Sequence, residues 1–591
     1  MKSPAILMES YSGGRVQTTT FEGFVDHVTA FSVGEIIPAL SQVESAVRAG
    51  FYAAGFLSYE AAPGLDPSLT TRISADFPLL WFGIFRGCSI REKQESIDSW
   101  GTKSYLLSPW NPSLIKSDYI QSVGRIREYI ASGDTYQVNY TFRLKSSFSG
   151  NAMELYRDLC QAQRARYCAF LDIGRFSILS ASPELFFSLE NRNLTVRPMK
   201  GTARRGRWFT EDVEFASLLK SSDKERAENL MIVDLLRNDM GRISETGSVM
   251  VTSLFDIETL ETVHQMTSTI NSRLRANVGL ADLMRALFPC GSVTGAPKRR
   301  SMDIIAELED SPRGLYTGCI GYVSPGMEQA FFNVAIRTVV IDAENGDAEL
   351  GVGSGITWDS APDSEFEECL TKGRFAGEAP PRHVLLESIL FEEGKGFFLL
   401  GRHLERLEES GRYFGFTMDI PSIRDGLLHF AEKLSGNMKV RLSVSRDGAF
   451  TIQAVDISEN IESNRPLIAI AVARVERTNP FLYHKTSCRE VYEREKAARP
   501  DCVDVIFLNE RDEITEAANN NIVIRKEGEL VTPPLECGLL PGIFRGHLLD
   551  RGEIREQAFT LEDLMHAEEV FLINSVRKWR RVYFDRRGFP T

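Results

Sequence analysis

The chain has 591 residues, 43% hydrophobic and 25% charged, which is too long for one core and excludes a disordered or fibrous protein. A formal net charge of -13 excludes a general nucleic-acid binder, because neutralising phosphates takes a surplus of Lys and Arg. Nine cysteines without a repeated CxxC spacing point to reduced thiols and a cytoplasmic setting, not to a disulfide frame or a zinc site.

From Met1 to Arg15 no uninterrupted apolar core follows basic residues, and no later stretch reaches membrane-spanning length, so neither secretion nor membrane insertion is expected. Hydrophobic periodicity predicts a helix over 118–132, leading into a strand that opens with Gln137-Val138-Asn139-Tyr140 and runs toward Leu144. Further strands are expected over 176–181, 185–189 and 330–341, alternating with helices over 215–237, 280–287 and 298–308. This mixture reads as a large α+β domain. At Gly377-Glu378-Ala379-Pro380-Pro381 two prolines end the helical pattern. The expected organisation is a domain over 1–376 with its motif core at 117–376, a linker over 377–383, and a smaller α/β domain over 384–591. Neither part shows an internal repeat or low-complexity tract.

Ser360-Ala361-Pro362-Asp363 reads as a helix start with a Ser cap, an early Pro and an acid placed to bond back to the cap. The helix would carry Glu365, Glu368 and Lys372 on one face, where carboxylates suit a hard cation and the ammonium an anion. From this helix alone a solvated charged face is the simpler reading. In an earlier helix Glu228 adjoins an apolar stretch ending at Leu236, where a carboxylate needs a metal or an ion-pair partner such as Arg226 or Arg237.

Ala181-Ser182-Pro183-Glu184, Pro198-Met199-Lys200-Gly201-Thr202, Asp234-Leu235-Leu236-Arg237-Asn238-Asp239, Gly291-Ser292-Val293-Thr294-Gly295-Ala296-Pro297-Lys298 and Gly353-Ser354-Gly355-Ile356 together resemble the chorismate-utilising enzyme family, over about 117–375. Gly55-Phe56-Leu57-Ser58-Tyr59-Glu60 resembles the amino-terminal part of the same family. Members that make anthranilate or isochorismate generally carry Ala where Lys200 stands; the aminodeoxychorismate synthases carry Lys. The resemblance implies that Lys200 adds at C2 of chorismate and expels the C4 hydroxyl, after which ammonia enters at C4; a lysine taken out of water can lose its proton and attack carbon. An anion contact or a plain surface lysine is the alternative.

The same resemblance makes Glu228 and Glu368 ligands of Mg²⁺, with Glu365 close by. It assigns Arg337 and Lys372 to substrate carboxylate, with Thr294 and the Gly353, Ser354 and Gly355 loop as further substrate contacts. Glu184 fits a general acid for the leaving hydroxyl, and His264 a group beside that oxygen, although a lone histidine is more often a satisfied core residue.

Beyond the linker, Gly401-Arg402-His403-Leu404-Glu405-Arg406-Leu407, His484-Lys485-Thr486, Glu513-Ile514-Thr515-Glu516-Ala517-Ala518-Asn519, Leu540-Pro541-Gly542-Ile543 and Asn574-Ser575-Val576 resemble the fold type IV pyridoxal phosphate enzymes, over about 385–582. That family includes aminotransferases and aminodeoxychorismate lyase. The resemblance makes Lys485 the residue bonded to the cofactor and Glu516 the partner of its ring nitrogen. It gives the phosphate to Arg406, to the backbone at Gly542 and Ile543, and to Ser575. Free-standing relatives carry an additional front segment with an aspartate-and-glycine turn, whereas here Leu385-Leu386-Glu387-Ser388 follows the linker almost at once.

Together the two resemblances imply synthesis of 4-aminobenzoate, for folate, from chorismate and ammonia, with release of pyruvate. Neither half reads as a glutamine amidotransferase, so a separate subunit of that kind is the expected partner, and the rear half allows a homodimer. The competing readings are an anthranilate synthase-type enzyme with a lyase-like or aminotransferase-like tail, and a non-catalytic metabolite-binding protein.

Overall fold

A computed structural model describes residues 4–12, 15–73, 76–94, 104–377, 381–457 and 466–584. The centre of the expected linker, 378–380, and parts of the amino-terminal stretch, 1–3 and 13–14, lie outside the described residues. Two compact units are present: Met1–Arg205 with Phe215–Pro380, and Gly206–Glu214 with Pro381–Thr591. No helix among the described residues is long and apolar enough to cross a membrane.

In the first unit, long antiparallel strands carry the site. The Gln137–Gly150 strand pairs with Asp347–Ile356, setting Gly353 opposite Thr141 and Gly355 opposite Asn139. Strand side chains alternate between faces, so Gly351, Gly353 and Gly355 leave one face bare while Val352, Ser354 and Ile356 point the other way. The bareness is required: a Cβ on Gly351 would lie 2.1 Å from the Tyr316 ring, and one on Gly353 2.6 Å from Thr141 Cγ2. The opposite face is core, where Val352 and Ile356 join Tyr119, Tyr140, Phe142 and Phe366. The expected loop at Gly353–Ile356 is thus the end of a paired strand.

Two expected elements are split. The predicted 215–237 helix is two helices, Phe209–Ser221 and Asp223–Gly241, because Ser222 adopts an extended backbone and its hydroxyl accepts from Glu225 N at 3.4 Å. The predicted 330–341 strand is Gln329–Val334 and Thr338–Asp342, interrupted at Arg337, which has φ 50°. A left-handed backbone at a non-glycine residue re-aims its side chain. The Pro362–Gly373 helix is capped by the backbone of Ala361, while Ser360, the expected cap, accepts instead from Thr357 N at 3.1 Å.

The second unit holds two sheets. Gly396–Phe397, Leu385–Glu392, Met438–Val444 and Phe450–Asp456 form an antiparallel one in that spatial order. The other is mixed and eight-stranded, with Leu467–Val475 parallel to Asp504–Asn509. Gly206–Glu214, far away in sequence, is built into this unit: the Trp208 and Tyr483 rings lie 5.2 Å apart, and Tyr413 Oη donates to the Gly206 carbonyl at 2.7 Å.

Candidate active sites

Lys200 follows Met199 on the strand Met199–Arg204, and its backbone carbonyl accepts from Asn229 Nδ2 at 3.2 Å. That bond ties the strand to the Asp223–Gly241 helix, whose cleft-facing side carries Lys224, Glu225 and Glu228. The Pro362–Gly373 helix adds Glu365, Glu368 and Lys372, and the break before Thr338 adds Arg337. All of these side chains, with Lys200 and Glu184, line one cleft of about 240 Å³. Its remaining wall includes the bare glycines 351, 353 and 355.

Burial lowers the Lys200 amine from the ordinary lysine range, against the opposing pull of Glu228. The glycine strand presses on it from one side: a Cβ on Gly355 would lie 2.7 Å from Lys200 Nζ. Glu184 is 2% exposed, and burial pushes its carboxyl up to about 7. Ser292 Oγ donates to Glu184 Oε1 at 2.6 Å and holds it in place. A carboxyl raised toward its protonated form and an amine lowered toward its unprotonated one therefore share one cleft, the arrangement that acid-assisted nucleophilic attack needs.

Arg337 donates through Nη1 to Gln163 and stacks 5.8 Å from the Phe375 ring, with no carboxylate partner among the described residues. Burial lowers it to about 10. Its charge is unmet by protein, as suits a receiver of substrate carboxylate. Lys372 instead lies 2.7 Å from Glu368 Oε1 and donates to the Gly353 carbonyl at 3.2 Å. Burial works against the Glu368 carboxylate, but Lys372 overcomes it and holds the group below its ordinary range.

The carboxylates are the donor type that Mg²⁺ takes, and they outnumber the cations: Glu184, Glu225, Glu228, Glu365 and Glu368 face Lys200, Lys224, Arg337 and Lys372. A dicarboxylate substrate would add to that surplus, so a divalent cation fits the charge of the cleft. Among the described residues no three such ligands are gathered into a ready cage. The fit is one of chemistry and charge.

Three expected contacts face elsewhere. His264 is 1% exposed with Nδ1 3.2 Å from Thr259 Oγ1, and strand alternation puts Gln265 in the cleft wall instead. Ser354 points to the core, its hydroxyl 2.9 Å from Tyr119 Oη. Thr294 is fully buried and donates to the Cys290 and Gly291 carbonyls at 3.2 and 3.3 Å. The last motif still matters as scaffold, since Lys298 Nζ meets Asp239 Oδ2 at 2.9 Å and so joins two of the sequence motifs. Ser292, Gln265 and Asn139 line the cleft and were not singled out from sequence; period-two alternation within their strands and motifs is the signal that could have found Gln265 and Asn139.

In the second unit Lys485 follows His484, whose Nδ1 lies 2.9 Å from Ser410 Oγ. Burial, then Arg406 and Arg489, lower the Lys485 amine to about 7. Glu516 is 6% exposed and accepts from Tyr492 Oη at 3.0 Å and Leu540 N at 3.2 Å, and burial raises it to about 7. Gly542 opens the Ile543–Asp550 helix, and a Cβ there would lie 1.9 Å from Asn521 Oδ1, so only glycine admits this approach. Ser575 is buried just after the Glu569–Asn574 strand.

Arg406 is more committed than expected. Its Nε and Nη2 donate to the two oxygens of Glu387 at 2.9 and 2.7 Å, and Nη1 donates to the Pro541 carbonyl at 3.0 Å. His403 Nδ1 also lies 2.7 Å from Glu387 Oε2. The fork assigned to a phosphate is therefore turned to Glu387, which burial disfavours but Arg406 and His403 hold down at about 2. An amine lowered to about 7, a buried acid and a helix start with close backbone approach still suit an aldehyde cofactor with an anionic group.

Residues 9–377 match the family described as chorismate binding enzyme, and 384–583 match amino-transferase class IV. Aminodeoxychorismate synthase component 1 of Escherichia coli is 42% identical over 269 residues, 45% of this chain and 58% of that protein. Anthranilate synthase component 1 of Aquifex aeolicus is 39% identical over 267 residues, 45% of this chain and 53% of that one. The chain thus spans somewhat more than half the length of these relatives. The crystal structure of anthranilate synthase component I from Streptococcus pneumoniae superposes with a TM-score of 0.52 at 25% identity, over 64% of this chain and 93% of that one. By these matches the chain belongs to the chorismate binding enzyme family, with an amino-transferase class IV region behind it.

Proposed function

We propose that the chain converts chorismate and ammonia into 4-aminobenzoate, pyruvate and water in two steps. In the first, the Lys200 amine bonds to C2 of chorismate, the ring double bonds shift, and the C4 hydroxyl departs as water with a proton from Glu184. Ammonia then bonds to C4, the bonds shift back, and Lys200 leaves C2 to give 4-amino-4-deoxychorismate. The reading rests above all on a Lys200 amine lowered from the ordinary lysine range by desolvation, in the same cleft as a Glu184 carboxyl raised to about 7. Arg337 receives a substrate carboxylate. Glu228 and Glu368, with Glu365 nearby, would hold Mg²⁺, which supplies positive charge toward substrate oxygens.

In the second unit Lys485 and Glu516 would hold pyridoxal phosphate, which supplies an electron-accepting ring when bound. With its amine lowered to about 7, Lys485 takes the proton from the amino-bearing carbon, and loss of pyruvate leaves the aromatic product. The backbone at Gly542 and Ile543, with Ser575, would face the phosphate, and Glu387 fixes the direction of Arg406. The component 1 relatives support a separate glutamine amidotransferase as the ammonia source.

Identity to an anthranilate synthase component favours a second reading, in which the first step yields anthranilate. Incubating the intact chain with chorismate, ammonium and Mg²⁺, with and without pyridoxal phosphate, separates the two. Aminodeoxychorismate without the cofactor, and 4-aminobenzoate plus pyruvate with it and no keto acid added, is the expected result. Anthranilate, or no turnover, would overturn it.

A further inference from the structure

Residues 206–209 fall in sequence between the Met199–Arg204 strand and the Asp223–Gly241 helix, yet they pack inside the second unit. Trp208 packs against a small core that holds Tyr483, Tyr492, Val505 and Phe507, and Phe209 against another that holds Leu385, Tyr413 and Phe414. The segment is stiffened from within. Gly206 N donates to Asp212 Oδ1 at 2.7 Å, and the Arg207 guanidinium donates to both oxygens of Glu211 at 3.1 and 2.8 Å while lying 4.6 Å from the Trp208 ring. A Cβ on Gly206 would lie 2.1 Å from Asp212 N, so only glycine permits that closure.

Its contacts converge on the two residues before Lys485. The Trp208 ring lies 5.2 Å from that of Tyr483, and the Arg207 guanidinium 5.8 Å from the same ring. The His484 ring lies 4.3 Å from that of Tyr413, whose hydroxyl donates to the Gly206 carbonyl at 2.7 Å. Beyond this point the chain is held by a strand, since the Lys485 carbonyl accepts from Leu386 N at 2.8 Å. Lys485 is thus gripped from its carboxyl side by backbone pairing and from its amino side by rings that rest on 206–209. Close-packed rings transmit displacement with little slack, and misplacing a reacting group by about 1 Å costs roughly a hundredfold in rate.

We propose that residues 206–209 position the Lys485 amine for the aldehyde of pyridoxal phosphate, with Trp208 carrying the effect through Tyr483. The proposal rests on the reading of Lys485 as the residue that bonds the cofactor. Trp208 acts through its neighbour and is a positioning residue, not a catalytic one. It lies within 9–377, the part matched by the chorismate binding enzyme family, so the second site draws on sequence belonging to the first.

Trp208→Ala in the intact chain tests it, beside Trp208→Phe, which keeps a ring, and Tyr413→Phe, which removes only the hydroxyl that holds Gly206. Competitive acetylation with peptide mapping, without cofactor, should show the Lys485 amine of Trp208→Ala titrating nearer the ordinary lysine range, because a loosened backbone admits water. The charges facing that amine, Arg406, Arg489, Glu387 and Glu516, are the same in all three variants, so the shift reports position. The dissociation constant of pyridoxal phosphate, read from its protein-bound absorbance, should rise about tenfold or more in Trp208→Ala, several-fold in Tyr413→Phe, and less than about threefold in Trp208→Phe. A lower melting temperature with the Lys485 titration and the cofactor affinity unchanged overturns the proposal, as does an equal loss in Trp208→Ala and Trp208→Phe; if Trp208→Ala does not fold, an unaltered Tyr413→Phe overturns it. A parent chain that binds no cofactor sinks the reading of the second site, while the acetylation comparison, which needs none, still decides this inference.

Discussion

Lys372 Nζ and Glu368 Oε1 lie 2.7 Å apart, one turn of the same helix separating them. The cation proposed to meet substrate therefore occupies the carboxylate proposed to meet the metal, and the two tasks are exchanged for this ion pair. Lys372→Met should tighten Mg²⁺ several-fold while raising the chorismate KM about tenfold or more. Titration calorimetry with the metal and steady-state kinetics with chorismate check the opposite signs; movement of both in the same direction counts against the exchange.

Lys200→Ala removes the amine and, on the proposed mechanism, the block at C2. Aminodeoxychorismate formation should fall by about a hundredfold or more, or be rerouted to an isomer aminated at C2, with chorismate still bound within a few-fold. Product chromatography decides it. An undiminished yield of 4-aminobenzoate refutes the assignment.

Burial raises the Glu184 carboxyl to about 7, so its proton is present below that pH and lost above it. The rate kcat/KM for chorismate should decline about tenfold per pH unit on the alkaline side of 7, and Glu184→Gln should flatten that limb while lowering the rate about 10²–10⁴-fold. A pH profile of the amination step shows whether the limb survives the substitution.

Lys485→Ala should leave aminodeoxychorismate accumulating, with the cofactor's protein-bound absorbance lost. In the unaltered chain the amine at about 7 should make pyruvate release slow as pH falls below neutrality, since protonated lysine cannot take a proton. Pyruvate assays on supplied aminodeoxychorismate measure both effects without the first step.

Glu387→Ala would strand the buried charge of Arg406 and leave His403 without its carboxylate. Removing one member of a buried pair costs about 3–5 kcal/mol. Denaturant melts followed in the second unit should show that loss, and the affinity for pyridoxal phosphate should fall as the arginine loses its direction.

The helices Lys298–Leu308 and Leu280–Leu287 were legible from helical spacing, and the gathering of Lys200, Glu184, Glu228, Glu368 and Arg337 into one cleft from the motifs that resemble a known family. What failed was facing. Ser354 and Gly355 are neighbours on a strand, yet one bonds to Tyr119 and the other adjoins Lys200; only pairing with 137–150 decides which. His264 and Gln265 are likewise neighbours on a strand, and Gln265 is the one that lines the cleft. Glu387 has no signature in sequence because its partners, His403 and Arg406, are on another element.

Trp208 and Arg207 are numbered among residues of the front half but have their ring neighbour, Tyr483, in the rear one's compact body. A gene divided at the proline pair would thus send those two side chains away with the wrong product and bare an aromatic surface two positions before Lys485. The segment 206–214 belongs with the rear unit, so cutting the chain at the prolines is not the same as separating its two bodies.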